Sequence, residues 1–400
     1  MLECAGMYSL YLHIPFCQVR CAYCDFNTYA GMQDLIPRYI GALAEEVRQV
    51  SASLRSTPGQ ADDPPPAHTV FFGGGTPSLV PLSLLQVVLE TIRAGFALSS
   101  DCEISLEANP GTVDGEYLAG LRALGVNRLS LGVQSADPRE LALLDRLHSF
   151  EQAAQAVRQA RQAGFENVNL DLIFGIMYQS IESWRRTLGA ALSLEPEHLS
   201  LYALTLESGT PMQARVLRGE LPSPDGDLAA DMYEHAAQTL GEAGFRHYEI
   251  SNWAKDGAEP RACRHNLQYW RNLPYLGFGA GAHGSARGWR YANVLSPREY
   301  LGRLSSGGEQ PAPFSPAVAE QTPVDRPTDE RDTLLLGLRL IEEGVEMSAF
   351  QRRYGRSLMD VFGSDVRELQ EQGLLDVLPD RIRLTRRGHL LANQVFVHFV

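Results

Sequence analysis

Three cysteines stand within eight residues near the start of the chain: Cys17, Cys21 and Cys24, spaced Cys-x3-Cys-x2-Cys. Thiolates are soft ligands that suit zinc or iron–sulfur clusters, and a tetrahedral structural zinc needs a fourth donor. His13 or Asp25 could complete a zinc site of that kind, and plain buried thiols are the plainer alternative. Three thiolates acting alone leave one metal position open. In a four-iron cluster that vacancy leaves one iron free for an outside ligand, which is a reactive centre and not a structural one. Other residues of the same character follow. Phe72-Gly73-Gly74-Gly75-Thr76-Pro77 lets the backbone pass close to a ligand, exposes N–H groups and adds the Thr76 hydroxyl. Glu107, Gln134 and Asp171 stand in or at the ends of later apolar runs, and Arg146 is expected on the helix after one of them. Asp171 interrupts a run that should be buried, where a charge is costly unless it is paired.

Positioning these groups requires a repeating framework. Strands are expected at Tyr8–Ile14, Thr69–Phe72, Glu103–Glu107, Arg128–Val133, Val168–Phe174 and Leu199–Leu204. Between them, apolar residues recur at helical spacing over Leu35–Leu54, Leu82–Phe96, Gly115–Leu124, Phe150–Ala163 and Ile181–Leu192. Strand then helix, repeated six times, predicts parallel strands with right-handed crossovers. An open doubly wound sheet satisfies the same alternation. The chemistry-bearing residues fall at successive strand ends, however, which favours an α/β fold built as an incomplete (β/α)6 TIM-like barrel. Ser56–Pro66 reads as a Pro-rich surface insert and Ser305–Asp329 as a linker. The expected division is a barrel over 1–250, a connecting wall segment over 251–304, the linker over 305–329, and a winged-helix-like α+β module over 330–400. Ten arginines against eleven acidic residues in that last module do not suit DNA, and a capping role is the expectation.

The cysteine spacing, with Tyr23 before the third cysteine, resembles the signature of the radical S-adenosylmethionine (SAM) superfamily. There, three cysteines hold a [4Fe-4S] cluster and SAM chelates the open iron. Tyr11-Leu-His-Ile-Pro-Phe-Cys, Gly-Gly-Gly-Thr-Pro, Glu107-Ala-Asn-Pro, Arg128-Leu-Ser-Leu-Gly-Val-Gln and Asp171-Leu-Ile-Phe-Gly narrow the resemblance. Together they are similar to the family of oxygen-independent coproporphyrinogen III oxidase and its relatives. The resemblance implies Cys17, Cys21 and Cys24 on the cluster. It implies Tyr11, Tyr23, Gly74, Gly75, Thr76, Glu107, Gln134, Arg146 and Asp171 on SAM. One departure is Ile176-Met177-Tyr178-Gln179, where the family usually has Leu-Pro-Gly-Gln.

Within that family the true oxidase adds a fourth cysteine two residues after the third and a long N-terminal arm. Here Phe26 holds that position and ten residues precede Tyr11. His265-Asn266-x-x-Tyr269-Trp270 resembles the mark of HemW-type haem chaperones, which implies haem as cargo and respiratory haem proteins as acceptors and does not imply oxidase activity. The alternative is an oxygen-independent coproporphyrinogen III dehydrogenase or another radical SAM enzyme of porphyrin metabolism. A neutral His265 imidazole could ligate haem iron, with Tyr269 and Trp270 against the macrocycle. A satisfied histidine packed beside aromatics is the structural alternative, and Cys263 and His283 are further candidate ligands.

Composition sets the outer limits. A formal net charge of −13 argues against a general nucleic-acid binder. Cys4, Cys102 and Cys263 are scattered, which fits a reducing compartment better than a disulfide framework. No apolar stretch reaches the length of a spanning helix, so a cytoplasmic protein is expected. Peripheral membrane contact and a homodimer are left open by the residues.

Overall fold

The computed structural model describes residues 6–56, 63–257, 261–308 and 310–399. Most of the Ser56–Pro66 insert, and Cys4, lie outside them. The chain forms two compact units: residues up to Ala236 with Pro274–Thr322, and Ala237–Leu273 with Pro323–Val400. This division differs from the one expected from composition. Density of Pro, Gly and Ser marks 305–329 as a linker, yet a strand at Val318–Pro323 and a helix starting at Arg326 occupy its second half. Residues 237–273 join the second unit through contacts distant in sequence, which composition does not carry.

In the first unit, six parallel strands are β1 (Tyr8–Ile14), β2 (Pro66–Gly74), β3 (Ala97–Ala108), β4 (Arg128–Gln134), β5 (Val168–Phe174) and β6 (His198–Ala203). They are joined by α1 (Ile36–Arg55), α2 (Leu82–Gly95), α3 (Gly115–Ala123), α4 (Pro138–Leu143), α5 (Phe150–Gln162) and α6 (Ile181–Leu192). Beyond them come β7 (Tyr275–Phe278), β8 (His283–Ala286), β9 (Trp289–Asn293) and β10 (Val318–Pro323). The order across this sheet is β10-β9-β8-β7-β1-β2-β3-β4-β5-β6. β7 runs parallel to β1, with Ser9 opposite Tyr275, whereas β8 and β9 are antiparallel additions. The barrel sheet therefore has a seventh parallel strand that the six-unit reading does not contain. Tyr275-Leu-Gly-Phe is too short to announce itself and is made a strand by the partner beside it.

The strands alternate with a period of two, and that alternation builds both core and site. In β4, Leu129, Leu131 and Val133 are fully buried, while Ser130, Gly132 and Gln134 line the cavity. In β5, Leu170 and Leu172 are buried on one side, and Asp171 and Ile173 line the cavity on the other. Register puts Glu107 opposite Ser130 and Ser130 opposite Asn169, with Gly132 opposite Asp171 in the next layer. Helix starts are set locally. Ser149 and Gln152 make a reciprocal capping box for α5, and the Ser180 side chain caps α6.

The second unit closes its own core from Leu334, Leu338, Phe350, Phe362, Val366, Leu369, Ile382, Leu384 and Val395. Helices Arg326–Gly337, Met347–Tyr354 and Leu358–Glu371 surround it, with a three-stranded sheet of Val345–Glu346, Leu375–Val377 and Arg381–Leu384. Three helices and a β wing match the expected winged-helix-like module.

Candidate cofactor site

The cysteine loop leaves β1 and is pinned at several points. Phe16–Cys17 pairs with Tyr29–Ala30, the Cys24 N–H donates to the Cys21 carbonyl (3.2 Å), and Gln33 donates to the Cys17 carbonyl (2.6 Å). The Gly75 and Thr76 N–H groups donate to the carbonyls of Ile14 (2.8 Å) and Phe16 (2.9 Å), tying the glycine turn after β2 to the cysteine loop. On the far side, Ala22 packs with Leu144, Ile173, Ile176, Met177, Leu204 and Met212, and Tyr23 lies against this cluster. Gly75 is required here. A Cβ would stand 2.7 Å from the Phe16 carbonyl oxygen and 3.0 Å from the Cys17 sulfur. Gly74, at φ +113°, would bring a Cβ to 2.6 Å from the His13 ring.

These parts enclose one cavity of about 460 Å3. Cys17, Cys21 and Cys24 line it together with Tyr23, Gly74, Gly75, Thr76, Glu107, Gln134, Arg146 and Asp171. Of the residues implied for the cluster and SAM, Tyr11 alone is not among the lining groups. It stacks on Phe71 and donates its hydroxyl to His13 Nδ1 (3.0 Å), beside Gly73. Arg146 is not on a helix as expected. α4 ends at Leu143, Asp145 takes a left-handed φ of +55°, and Arg146 follows in the turn before α5. That turn aims its guanidinium inward, donating to the Cys21 sulfur (3.5 Å), the Gly132 carbonyl (2.7 Å) and Asn109.

Asp171, half-buried on the cavity wall, is held by hydrogen bonds from neutral donors. Ser130 donates to Oδ2 (3.0 Å) and Asn169 to Oδ1 (2.8 Å), while the Asn169 carbonyl oxygen accepts from Ser200 (3.1 Å) and His198 (2.6 Å). Burial still raises the Asp171 carboxyl above its ordinary range. Glu107 accepts from the Gly74 N–H (3.1 Å), and burial followed by repulsion from Asp171 pushes it up to about 7. Burial likewise raises the Cys17 and Cys24 thiols. Gln134 ends β4 at φ +68°, a conformation uncommon for a side-chain-bearing residue, which bends it into the cavity wall.

The donor set fits an iron–sulfur cluster better than the zinc alternative. His13 donates its Nε2–H to the Asn27 carbonyl (2.9 Å) and accepts from Tyr11 at Nδ1, so both ring nitrogens are engaged. Asp25 is exposed. The three thiols instead line a roomy cavity, and the buried Arg146 Nε–H beside it has no protein partner. Ser130, Asn169 and Ser200 were missed by motif reading. The period-two positions of Ser130 against Gly132 and of Asn169 against Asp171 are the signal that finds them. The turn Ile176–Gln179 departs from the family pattern but still closes, with the Gln179 N–H donating to the Ile176 carbonyl (2.9 Å). Tyr178, 77% exposed, takes the left-handed backbone there.

The second unit carries the other motif on helix Arg264–Trp270. His265 is buried and shares a hydrogen bond with the Tyr269 hydroxyl one turn on (2.8 Å), their rings 4.9 Å apart. Trp270 packs its ring under Arg339, with 4.3 Å from guanidinium carbon to ring centre. Cys263 is buried at the start of this helix, and His283, in the first unit, is exposed on β8.

Comparison with known proteins adds the wider frame. The radical SAM superfamily profile matches residues 11–191, and the HemN C-terminal domain profile matches 324–391. The chain is 41% identical over 391 residues to the haem chaperone HemW of Mycobacterium tuberculosis (strain ATCC 25618 / H37Rv), covering 97% of this chain and 93% of that protein. It is 37% identical over 395 residues to the haem chaperone HemW of Bacillus subtilis (strain 168), covering 98% and 99%. Among solved structures, coproporphyrinogen III oxidase HemN of Escherichia coli, a radical SAM enzyme, superimposes with a TM-score of 0.82 at 24% identity. That likeness covers 99% of this chain and 90% of the other, and it shows a shared fold.

Proposed function

Because the chain belongs to the radical SAM superfamily and, within it, to the HemW family of haem chaperones, we propose that it binds haem and passes it to respiratory haem proteins, on a scaffold that holds a [4Fe-4S] cluster and SAM. The observation that carries the reading is one cavity lined by three thiols, the Gly74–Gly75 turn and the half-buried carboxylates of Glu107 and Asp171, in a chain whose similarity to HemW proteins runs nearly end to end.

Cys17, Cys21 and Cys24 would hold the cluster, which supplies an open iron and an electron source when bound. The chain's own groups do the rest. Arg146 sets its positive charge beside the Cys21 sulfur, to which it donates at 3.5 Å. Glu107 and Asp171 offer the cavity two half-buried carboxylates, a setting that selects a cationic ligand such as the sulfonium and ammonium of SAM. The Gly74–Gly75 turn lines the cavity and packs against His13 and the Phe16 carbonyl so closely that any Cβ would clash there. In the second unit, His265 reaches haem iron once its hydrogen bond to Tyr269 is released, and Tyr269 and Trp270 supply apolar faces for the macrocycle.

The test starts with anaerobically reconstituted protein. Iron and sulfide in cluster proportion, lost together in Cys17→Ser, Cys21→Ser and Cys24→Ser variants, support the cluster; zinc in their place overturns it. Haem is then titrated against the parent chain, His265→Ala and Cys263→Ala, with absorption spectra reporting the iron ligand. Finally, reduced protein is incubated with SAM and coproporphyrinogen III. Formation of protoporphyrinogen would overturn the chaperone reading in favour of an oxidase.

A further inference from the structure

Beside helix Arg264–Trp270, the second unit buries more polar capacity than it satisfies. Glu249 is fully buried; its Oε1 accepts from Asn252, but its Oε2 has no hydrogen-bond partner and meets Arg339 only at 3.9 Å. That separation is a loose ion contact, beyond hydrogen-bond length. Arg339 Nε, Trp270 Nε1 and Asn252 Oδ1 are also buried without a hydrogen-bond partner. Each such group is costly when nothing satisfies it. Four of them gathered around one stacked Arg–Trp pair mark a corner shaped for a polar group that the chain itself does not provide.

The chemistry of the corner narrows the guest. Its two unused donors are a guanidinium N–H and an indole N–H. The guanidinium is planar and permanently charged, and its carbon lies 4.3 Å from the centre of the Trp270 ring. A carboxylate takes two donors of this kind at once and pairs best with arginine. Arg339 remains about a quarter exposed, so an incoming carboxylate approaches from that side and reaches the buried Nε–H and indole N–H only as the corner opens. The buried Glu249 anchors the cation from behind at a distance that leaves it free to pair with a second anion.

We infer that Arg339, with the Trp270 indole N–H, recognises a carboxylate, and that this carboxylate is a propionate of haem carried on the Arg264–Trp270 helix. The inference rests on the placement of haem at His265 in the proposed function. His265 then meets the iron, and Arg339 meets the carboxylate edge of the same planar cargo. Glu249 acts through Arg339 as a positioning residue.

The test compares two probes on the full chain: haem, and haem dimethyl ester, whose propionates cannot accept as carboxylates. Both are titrated in one detergent-containing buffer. Arg339→Gln is expected to weaken haem by about tenfold while changing the ester less than twofold, and Arg339→Lys to recover part of the loss, since lysine keeps the charge without the fork. Trp270→Phe keeps the ring and deletes the N–H. It is expected to cost haem a few-fold and the ester nothing, and it serves where Arg339→Gln fails to fold by circular dichroism. Equal losses for haem and ester in the folded variants would overturn the inference and leave the corner to ordered water. An unchanged haem spectrum in His265→Ala would fail the parent reading instead, a result read separately from the haem-to-ester ratio.

Discussion

At the scale of single residues, the site works because burial changes what ordinary groups do. Glu107 is pushed up to about 7 by burial and by Asp171, so in the folded chain it keeps its proton well above the pH at which it would lose it unfolded. The folded state then binds more protons than the unfolded state between about pH 4.5 and 7, and stability falls as pH rises through that window. Unfolding of the cofactor-free chain should show this against Glu107→Gln. The parent should lose about 3 kcal/mol relative to the variant between pH 4.5 and 8, and parallel stability curves would remove the assignment. His265 offers a second residue-scale test, since its Nε2 is engaged by Tyr269. Tyr269→Phe removes that hydrogen bond, and a bond of about 1 kcal/mol corresponds to haem affinity roughly fivefold tighter if iron takes its place. Weaker binding in that variant would assign Tyr269 to the ligand side instead.

At the scale of elements, α1 is locked to the strands that extend the barrel sheet by one buried carboxylate. Glu46 accepts from the Gly279 N–H (2.7 Å), Asn293 (2.8 Å), Tyr300 (2.6 Å) and Ser315 (2.6 Å). Burial raises its pKa while these donors pull it back down. Glu46→Ala orphans four buried donors at once and should destabilise the first unit by about 3–5 kcal/mol in chemical denaturation. Glu46→Gln keeps part of the network and should cost less; equal costs would show that the carboxylate's charge and full acceptor set, and not its shape, make the lock. Much of this scale was legible beforehand. β1 and β5 run over Tyr8–Ile14 and Val168–Phe174, and α6 over Ile181–Leu192, as their periodicity predicts. The seventh parallel strand and the unwound position of Arg146 were not legible, because neighbours distant in the chain decide both.

At the scale of the whole molecule, a net charge of −13 governs encounter. Haem carries two carboxylates, so the long-range field repels the proposed cargo, and recognition falls to short-range groups such as Arg339. The association rate of haem should therefore rise with salt, by roughly two- to tenfold between about 10 mM and 500 mM ionic strength in stopped-flow mixing. A rate that falls with salt would mean a local cationic patch outweighs the overall field. Among the described residues, no helix is long and apolar enough to cross a membrane.

The sequence by itself determined the chemistry on offer and the local framework: three thiols at cluster spacing, a glycine turn that no Cβ could enter, and strands and helices alternating with clear periods. These are short-range properties, carried by residue type and by spacing within a few turns of chain. Only the tertiary structure decided which groups meet. Asp171 found a donor in Ser130 through strand register, Arg146 reached Cys21 across 125 residues of chain, and 237–273 joined the C-terminal module. Such meetings depend on packing between segments far apart in sequence, where each partner's identity is set by a fold that no single stretch contains.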